Sequence, residues 1–360
     1  MGVTATSGLT CCKNLTILLE GQQNLPSQWV NKNGVLLALK SEPNMAGYGD
    51  WLSAITKTLE DKAPLNATFP KIDLQYLKPD CGSGVTATDI CTAASTGADP
   101  YGYASVKITG DVWKKITLSR VEYDTLCYSQ ETDKLIKVTQ LFDTVLRAVN
   151  ADITLKLEAL MGNYANGTTS SLTSPRTINL IGTNGQINPA GIPIIENEFN
   201  KLGVTNGFTM VGGNLVNMYQ NLSGLAVANS SLGIDATKVK NQPMYFDSGM
   251  DALLTATGCK ALTWANGTVQ LMESYRYNGD RALYTDYDVK ETREYNGIMF
   301  DFTMHYDSCT DKHTITARKS YDLFYVPTAA FSCLPSGSNL KLQWKLACGD
   351  MDCSQLNICG

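Results

Sequence analysis

Between Ser129 and Met161 apolar residues recur in steps of three and four, at Leu135, Val138, Phe142, Val145, Leu146, Val149, Ile153, Leu157 and Leu160. No glycine or proline interrupts them, and that spacing predicts one amphipathic helix. Ser129 is placed to cap its start and Gly162 to follow its end as a C′ residue. About 30 residues at 1.5 Å each make it roughly 45–50 Å long. Its apolar stripe is single-sided and needs a partner along most of its length. No second helix in the sequence matches it, which argues against an antiparallel bundle. A helix laid across a sheet, or along neighbouring subunits, is the remaining solution.

Elsewhere the pattern is of short elements. Residues 51, 52, 55 and 59 are apolar, which predicts a short helix over Trp51–Leu59 that stops before Pro64. Residues 80–104 are small, polar and rich in turn formers, the composition of a long exposed loop. From Ala104 to Val121 the period becomes two, with Val106, Ile108, Ile116 and Leu118 facing one way and a break at Gly110-Asp111. After Gly162, strand and helix patterns alternate: strand Thr177–Ile181, helix Ile192–Leu202, strand Phe208–Val211, helix Asn214–Leu225. Met244–Phe246, Lys260–Trp264 and Val269–Met272 add strands, so this stretch reads as a compact α/β unit. Ile298–Tyr306 and Thr314–Val326 form a hairpin turned at Asp307–Lys312 and closed by Pro327. It is the last organised unit in this reading, and no internal repeat appears.

The 360 residues are enough for about two domains. A net charge near −5 gives no reason to grip phosphates, and no local basic patch is visible along the chain. The first residues lack a charged region followed by an apolar stretch, so no signal peptide is expected, and no apolar run approaches the ~20 residues that span a bilayer. A soluble chain is expected. Met1-Gly2 with Thr6 fits a loose myristoylation pattern that carries little weight.

Eleven cysteines occur, of which Cys333, Cys348, Cys353 and Cys359 form the one dense cluster. Their spacing lacks paired C-x2-C knuckles, and no histidine lies near to complete a zinc site. Free thiols are the favoured reading, with a disulfide that pins the tail, or zinc, as alternatives. Six Asn-x-Ser/Thr sequons, at Asn14, Asn66, Asn166, Asn221, Asn229 and Asn266, are of the number chance supplies in a chain rich in Asn, Ser and Thr. Catalytic material is scarce. His305 and His313 are the two histidines, flanking the hairpin turn, where strand pairing would bring them close in a structural role. Asp152 and Glu158 sit at non-facing positions of the long helix and read as solvated face. None of the nucleophile-elbow, zincin, Walker or dinucleotide motifs is present. No catalytic, cofactor-binding or metal residue is therefore assigned, and no cofactor is expected.

One long helix after an extended loop and strands, then an inserted α/β domain, then a return to a long hairpin, resembles the major capsid proteins of tailed bacteriophages. The segments that carry the resemblance are Ser129–Met161, running into Gly162; Ile194–Gly203; Phe208–Gly213; and Asp286–Asp288 through Tyr325–Pro327. The resemblance implies an α+β chain of the Hong Kong 97-like capsid fold, with a spine helix, a peripheral sheet, an extended arm and an inserted α/β axial domain. Its division would be 1–59 as N-terminal arm and short helix, 60–127 as extended loop and strands, and 128–164 as spine helix. Residues 165–275 would be the axial domain, 276–330 the peripheral hairpin and 331–360 a cysteine-rich tail with no counterpart in the fold. It further implies a structural protein of the virion, assembled in the host bacterial cytoplasm from copies of itself as pentamers and hexamers around double-stranded DNA. Decoration or portal proteins would be partners, the DNA would be touched weakly and without sequence preference, and no membrane would be bound. No lysine–asparagine cross-linking pair is assigned. A bacterial nanocompartment shell and an extracellular cysteine-containing binding protein are the competing readings.

Overall fold

The computed structural model describes residues 33–41, 72–77, 101–119, 130–163, 175–182, 187–204, 207–228, 238–239, 242–254, 259–275, 288–295, 297–325, 334 and 338–348. The helix expected at Trp51–Leu59 and most of the loop expected at 80–104 lie outside them. Within the described residues the architecture is mixed helix and strand.

The periodic stretch forms a 31-residue helix, α2, Gln130–Leu160. Val138, Phe142, Val145, Leu146, Val149, Ile153 and Leu157 are all buried, as their spacing requires. They pack on a five-stranded antiparallel sheet built from β3 (Gly110–Ser119), β9 (Val269–Ser274), β10 (Asp288–Tyr295), β11 (Ile298–Asp307) and β12 (Lys312–Tyr325). Phe142 stacks on Tyr295 at 5.2 Å between ring centroids and meets Phe300 edge-on at the same distance. Strand β12, 14 residues long, organises the sheet. One edge pairs with β3 from Lys312 to Tyr321; the other pairs with β11 as far as Arg318 and with β9 from Ser320 onward. Val269–Ser274, expected as a strand of the α/β unit, is thus a member of this sheet. The alternation in Tyr321, Leu323 and Val269 matches the inner face here.

The second sheet has six strands in the order β4 (Arg176–Ile181), β13 (Lys341–Cys348), β8 (Lys260–Ala265), β5 (Phe208–Gly212), β7 (Gln242–Phe246) and β6 (Lys238–Val239). Helices α3 (Gly191–Asn200) and α4 (Asn214–Ala228) bury their apolar faces with it around Phe199, Phe208, Tyr219 and Trp344. Strand β8 is buried at every position, because Leu262 and Trp264 face the spine-helix core while Ala261 and Ala265 face the other. One strand therefore belongs to both cores.

Three expectations need correction. Lys341–Cys348 is no tail: it pairs in parallel with β4 and antiparallel with β8 inside the second sheet. Its period-two run Leu340, Leu342, Trp344, Leu346, all buried, is the signal for that strand. Gly162 does not cap the helix in a left-handed turn. It is extended, bridges to Leu342, and exchanges hydrogen bonds with Lys341 O and Gln343 N, both at 2.9 Å. A Cβ there would meet Asn339 Nδ2 at 2.1 Å, so glycine answers to close approach rather than to positive φ. Tyr101–Ala104, expected as the end of a loop, belongs to strand β2 (Tyr101–Val106), antiparallel to β1 (Ile72–Leu77) in a separate two-stranded ribbon.

The apolar run at Gly34–Leu39, which carries no periodic signal of its own, is helix α1 (Gly34–Lys40). It is wedged against α2 and strands of both sheets, with Val35, Leu36 and Ala38 fully buried. Gly34 is required there: a Cβ would come within 2.1 Å of the Phe246 carbonyl oxygen.

Candidate functional site

The residues with the chemistry to act on a substrate are dispersed. In the β11–β12 register His305 lies opposite Thr314 and His313 opposite Tyr306. Residues directly opposite share a face and successive residues alternate. The two histidines therefore lie on opposite faces of the hairpin and form no pair, contrary to the expectation that pairing would bring them close. The His313 ring packs on Tyr306 instead, 4.7 Å between centroids. Among the described residues no three His, Cys, Asp or Glu side chains come together as a metal site. Cys309 is an exposed free thiol at the hairpin turn. Cys259 is disulfide-bonded.

Asp152 and Glu158 are not merely solvated. Asp152 accepts a 2.7 Å hydrogen bond from the Tyr321 hydroxyl on β12 and pairs with Lys156 at 3.2 Å. Glu158 pairs with the buried Lys260 of β8. One carboxylate ties the helix to the first sheet, the other to the second.

The junction of the two sheets holds the most organised polar groups. Asn150, buried on α2, donates to Asp247 Oδ2 at 2.6 Å and accepts from the Leu36 amide at 3.0 Å. The Asp247 carboxylate also accepts from Gly249 N at 2.8 Å. It stands at the N-terminus of α1, where free backbone amides favour negative charge. A second cluster centres on Lys319, which lies fully buried on the inner face of β12. Its ammonium donates to Met299 O at 2.6 Å, pairs with Glu273 Oε1 at 2.7 Å, and sits 4.6 Å from the Tyr275 ring centroid. Lys40 of α1 completes the cluster, 4.0 Å from Glu273. Burial lowers the Lys319 pKa to about 8 against the pull of Glu273. Burial alone would raise Glu273, but the Lys319 and Lys40 cations outweigh it and hold the carboxyl below its ordinary value. Every member is matched inside the chain, so the cluster locks the body rather than offering a site.

Lys319→Met is expected to cost about 3–5 kcal/mol in a urea titration, because it strands the Glu273 charge in the core. Lys319→Met with Glu273→Leu should recover most of that loss; equal instability of the single and double variants would refute the pairing. In the wild type Glu273's contribution is full above the ordinary carboxyl value of 4.5 and is lost as pH falls below it. Lys319 acts in the same direction at high pH: between about 8 and 10.5 the unfolded chain holds a proton that the folded one has released, so stability rises with pH there.

What remains for function is surface. Among the described residues the large exposed apolar side chains are Trp113 on β3, Ile136 and Leu155 on α2, Leu37 on α1 and Ile194 on α3. The β1–β2 ribbon joins neither sheet. No helix among the described residues is long and apolar enough to cross a membrane.

No family model and no curated protein matches the sequence. Solved structures do. The capsid asymmetric unit of cyanophage A-1(L) is similar at TM-score 0.49 and 11% identity, over 90% of this chain and 95% of that one. The mature capsid of bacteriophage PhiM1 gives 0.41 and 10%, over 80% and 84%. The capsid of Ralstonia phage GP4 gives 0.42 and 7%, over 78% and 84%. At these scores the likeness is loose, and what the chain does has to be read from its own residues.

Proposed function

We propose that this chain is a coat subunit, a major capsid protein of the Hong Kong 97-like type, and that its copies close into an icosahedral shell around the double-stranded DNA of a tailed phage. The observation that carries the proposal is a helix pinned between two sheets together with a two-stranded ribbon that pairs with neither sheet. The 31-residue helix is pinned between two sheets by buried apolar residues and by Asn150, Asp152 and Glu158. The ribbon of β1 and β2 stands outside both sheets. A two-stranded ribbon is marginal by itself in water and gains stability by packing on something else. In a shell that partner is the next subunit.

In this reading residues 60–127 include the arm, 128–164 are the spine, the second sheet with α3 and α4 is the axial domain, and the β10–β11–β12 strands complete the peripheral sheet. The subunit works in the virion through pentamers and hexamers assembled in the host bacterial cytoplasm. Dispersed histidines and internally matched carboxylates fit a protein that acts through interfaces rather than catalysis. Size-exclusion chromatography with light scattering tests it. Species many times the chain mass of 39.1 kDa are the expected result. A second reading, an exterior binding protein, is favoured by the disulfide at Cys259; it predicts a monomer or small oligomer instead.

A further inference from the structure

Cys259 is disulfide-bonded and 5% exposed, within the core of the second sheet. Its partner is not Cys309, which is a free thiol on the hairpin turn. The partner sulfur lies outside the described side chains. The bond sits at a junction. Cys259 immediately precedes β8, the strand that belongs to both cores, and its carbonyl accepts the Leu346 amide of β13 at 2.8 Å. The next residue, Lys260, pairs with Glu158 of the spine helix. Helix, β8 and β13 therefore meet within one residue of this cysteine.

The fold does not depend on the bond. A reduced cysteine behaves as a small hydrophobe, and the surrounding core is already built from Phe199, Phe208, Trp344 and Leu346. A chain of 360 residues with two such cores needs no covalent staple to fold. Compartment points the same way, since a shell subunit made in the bacterial cytoplasm folds where thiols are kept reduced. Position allows the bond to form afterwards. Cys259 lies one residue beyond the last ladder pair of β8 with β13, Lys260 with Lys345, where the Leu346–Cys259 hydrogen bond closes the end. The ends of ladders open locally more readily than their centres, so an oxidant gains access to a subunit that is otherwise folded. Once the end closes again, the buried sulfur is shielded from reductants.

We infer that the Cys259 disulfide is a redox lock: the subunit folds and assembles with the thiol, and the bond closes after the particle leaves the reducing cytoplasm, stapling the junction of helix and sheets. The oxidant is a low-molecular-weight disulfide. One protein thiolate attacks a sulfur of that disulfide and expels the first small thiol; the other protein thiolate attacks the mixed disulfide, expels the second and forms the S–S bond. The two protein thiols lose two electrons and two protons, and the small disulfide becomes two thiols. This inference rests on the shell reading, which supplies the reducing stage. It adds a covalent step after assembly and accounts for the bond without placing synthesis at the cell exterior.

The experiment expresses the full chain in the bacterial cytoplasm and treats the cells with iodoacetamide before lysis. A second portion, purified in reductant, is exposed to oxidised glutathione, and both are mapped by non-reducing peptide mass spectrometry. Cys259 should be alkylated in the treated cells and, after oxidation, linked to a second cysteine peptide with loss of two hydrogens. The oxidised wild type should melt about 5 °C or more above the reduced one. Cys259→Ala should assemble in reductant as the wild type does and gain nothing on oxidation, whereas Cys309→Ser should keep the full gain. Light scattering of the reduced wild type should show large species. If it does, Cys259 already bonded in the treated cells, or still alkylatable after oxidation, would overturn the lock and leave the shell reading standing. So would a melting gain that persists in Cys259→Ala. A reduced wild type that stays near the mass of one chain would overturn the shell reading and the lock with it. The wild-type arms need no substitution, so they decide the matter independently of how either variant folds.

Discussion

Val149→Asp should yield no folded subunit, while Leu155→Asp, six positions along the same helix, should fold. Val149 is 1% exposed, in the core shared by the spine helix and the first sheet, whereas Leu155 is 46% exposed. A carboxylate at Val149 would have no cation or donor set aside for it. Burying it costs several kcal/mol, a large share of the roughly 5–15 kcal/mol that holds a domain together. Val145→Asp should behave as Val149→Asp does. Far-ultraviolet circular dichroism and solubility of the expressed chains are the readouts. A soluble, helical Val149→Asp product would show that the helix is not the spine of this body. Loss of folding in Leu155→Asp would show that the solvent-facing stripe is misplaced.

Trp344→Ala should cost about 3–5 kcal/mol in urea unfolding. Trp344 lies in β13 between β4 and β8, is 1% exposed, and donates its indole N–H to Thr263 Oγ1 at 2.8 Å. Truncation both empties that space and leaves the buried Thr263 hydroxyl without the indole. A cost below about 1 kcal/mol would mean that Lys341–Cys348 does not pack as a strand inside the second sheet.

These two sites mark the limits of what the chain's pattern reveals. The spine helix was legible because its signal is local: seven buried residues on one face between Val138 and Leu157 outweigh any competing pattern. The strands Thr177–Ile181, Phe208–Val211 and Ile298–Tyr306 were legible for the same reason, as was the conclusion that the helix lies on a sheet. Strand β13 carries an equally clear alternation in Leu340, Leu342, Trp344 and Leu346, but the neighbouring cysteines drew attention to covalent chemistry instead. Helix α1 has no legible signal, because five of its seven residues are buried in a run too short to show a periodicity. The assignment of Val269–Ser274 to the first sheet was beyond pattern altogether: alternation states that a strand exists, not which strand it pairs with.

Charge was the least legible. Lys319 looks like any strand lysine until the parity of β12 places it between Ala317 and Tyr321 on the buried face. Arg318 is brought opposite Trp113, two residues from Lys115 on the same face, only by a pairing about 200 residues distant. The faces of the two histidines were not legible for the related reason that register decides faces.

Electron microscopy of the purified full-length chain tests the central claim most directly. Closed shells of uniform size, or discrete rings of five and six subunits that close into them, are the predicted result. Within such a shell each subunit should show a rod about 45 Å long lying on a sheet, with a two-stranded arm reaching onto its neighbour. Isolated particles near 39.1 kDa, under the same conditions and at every salt concentration, would contradict the account.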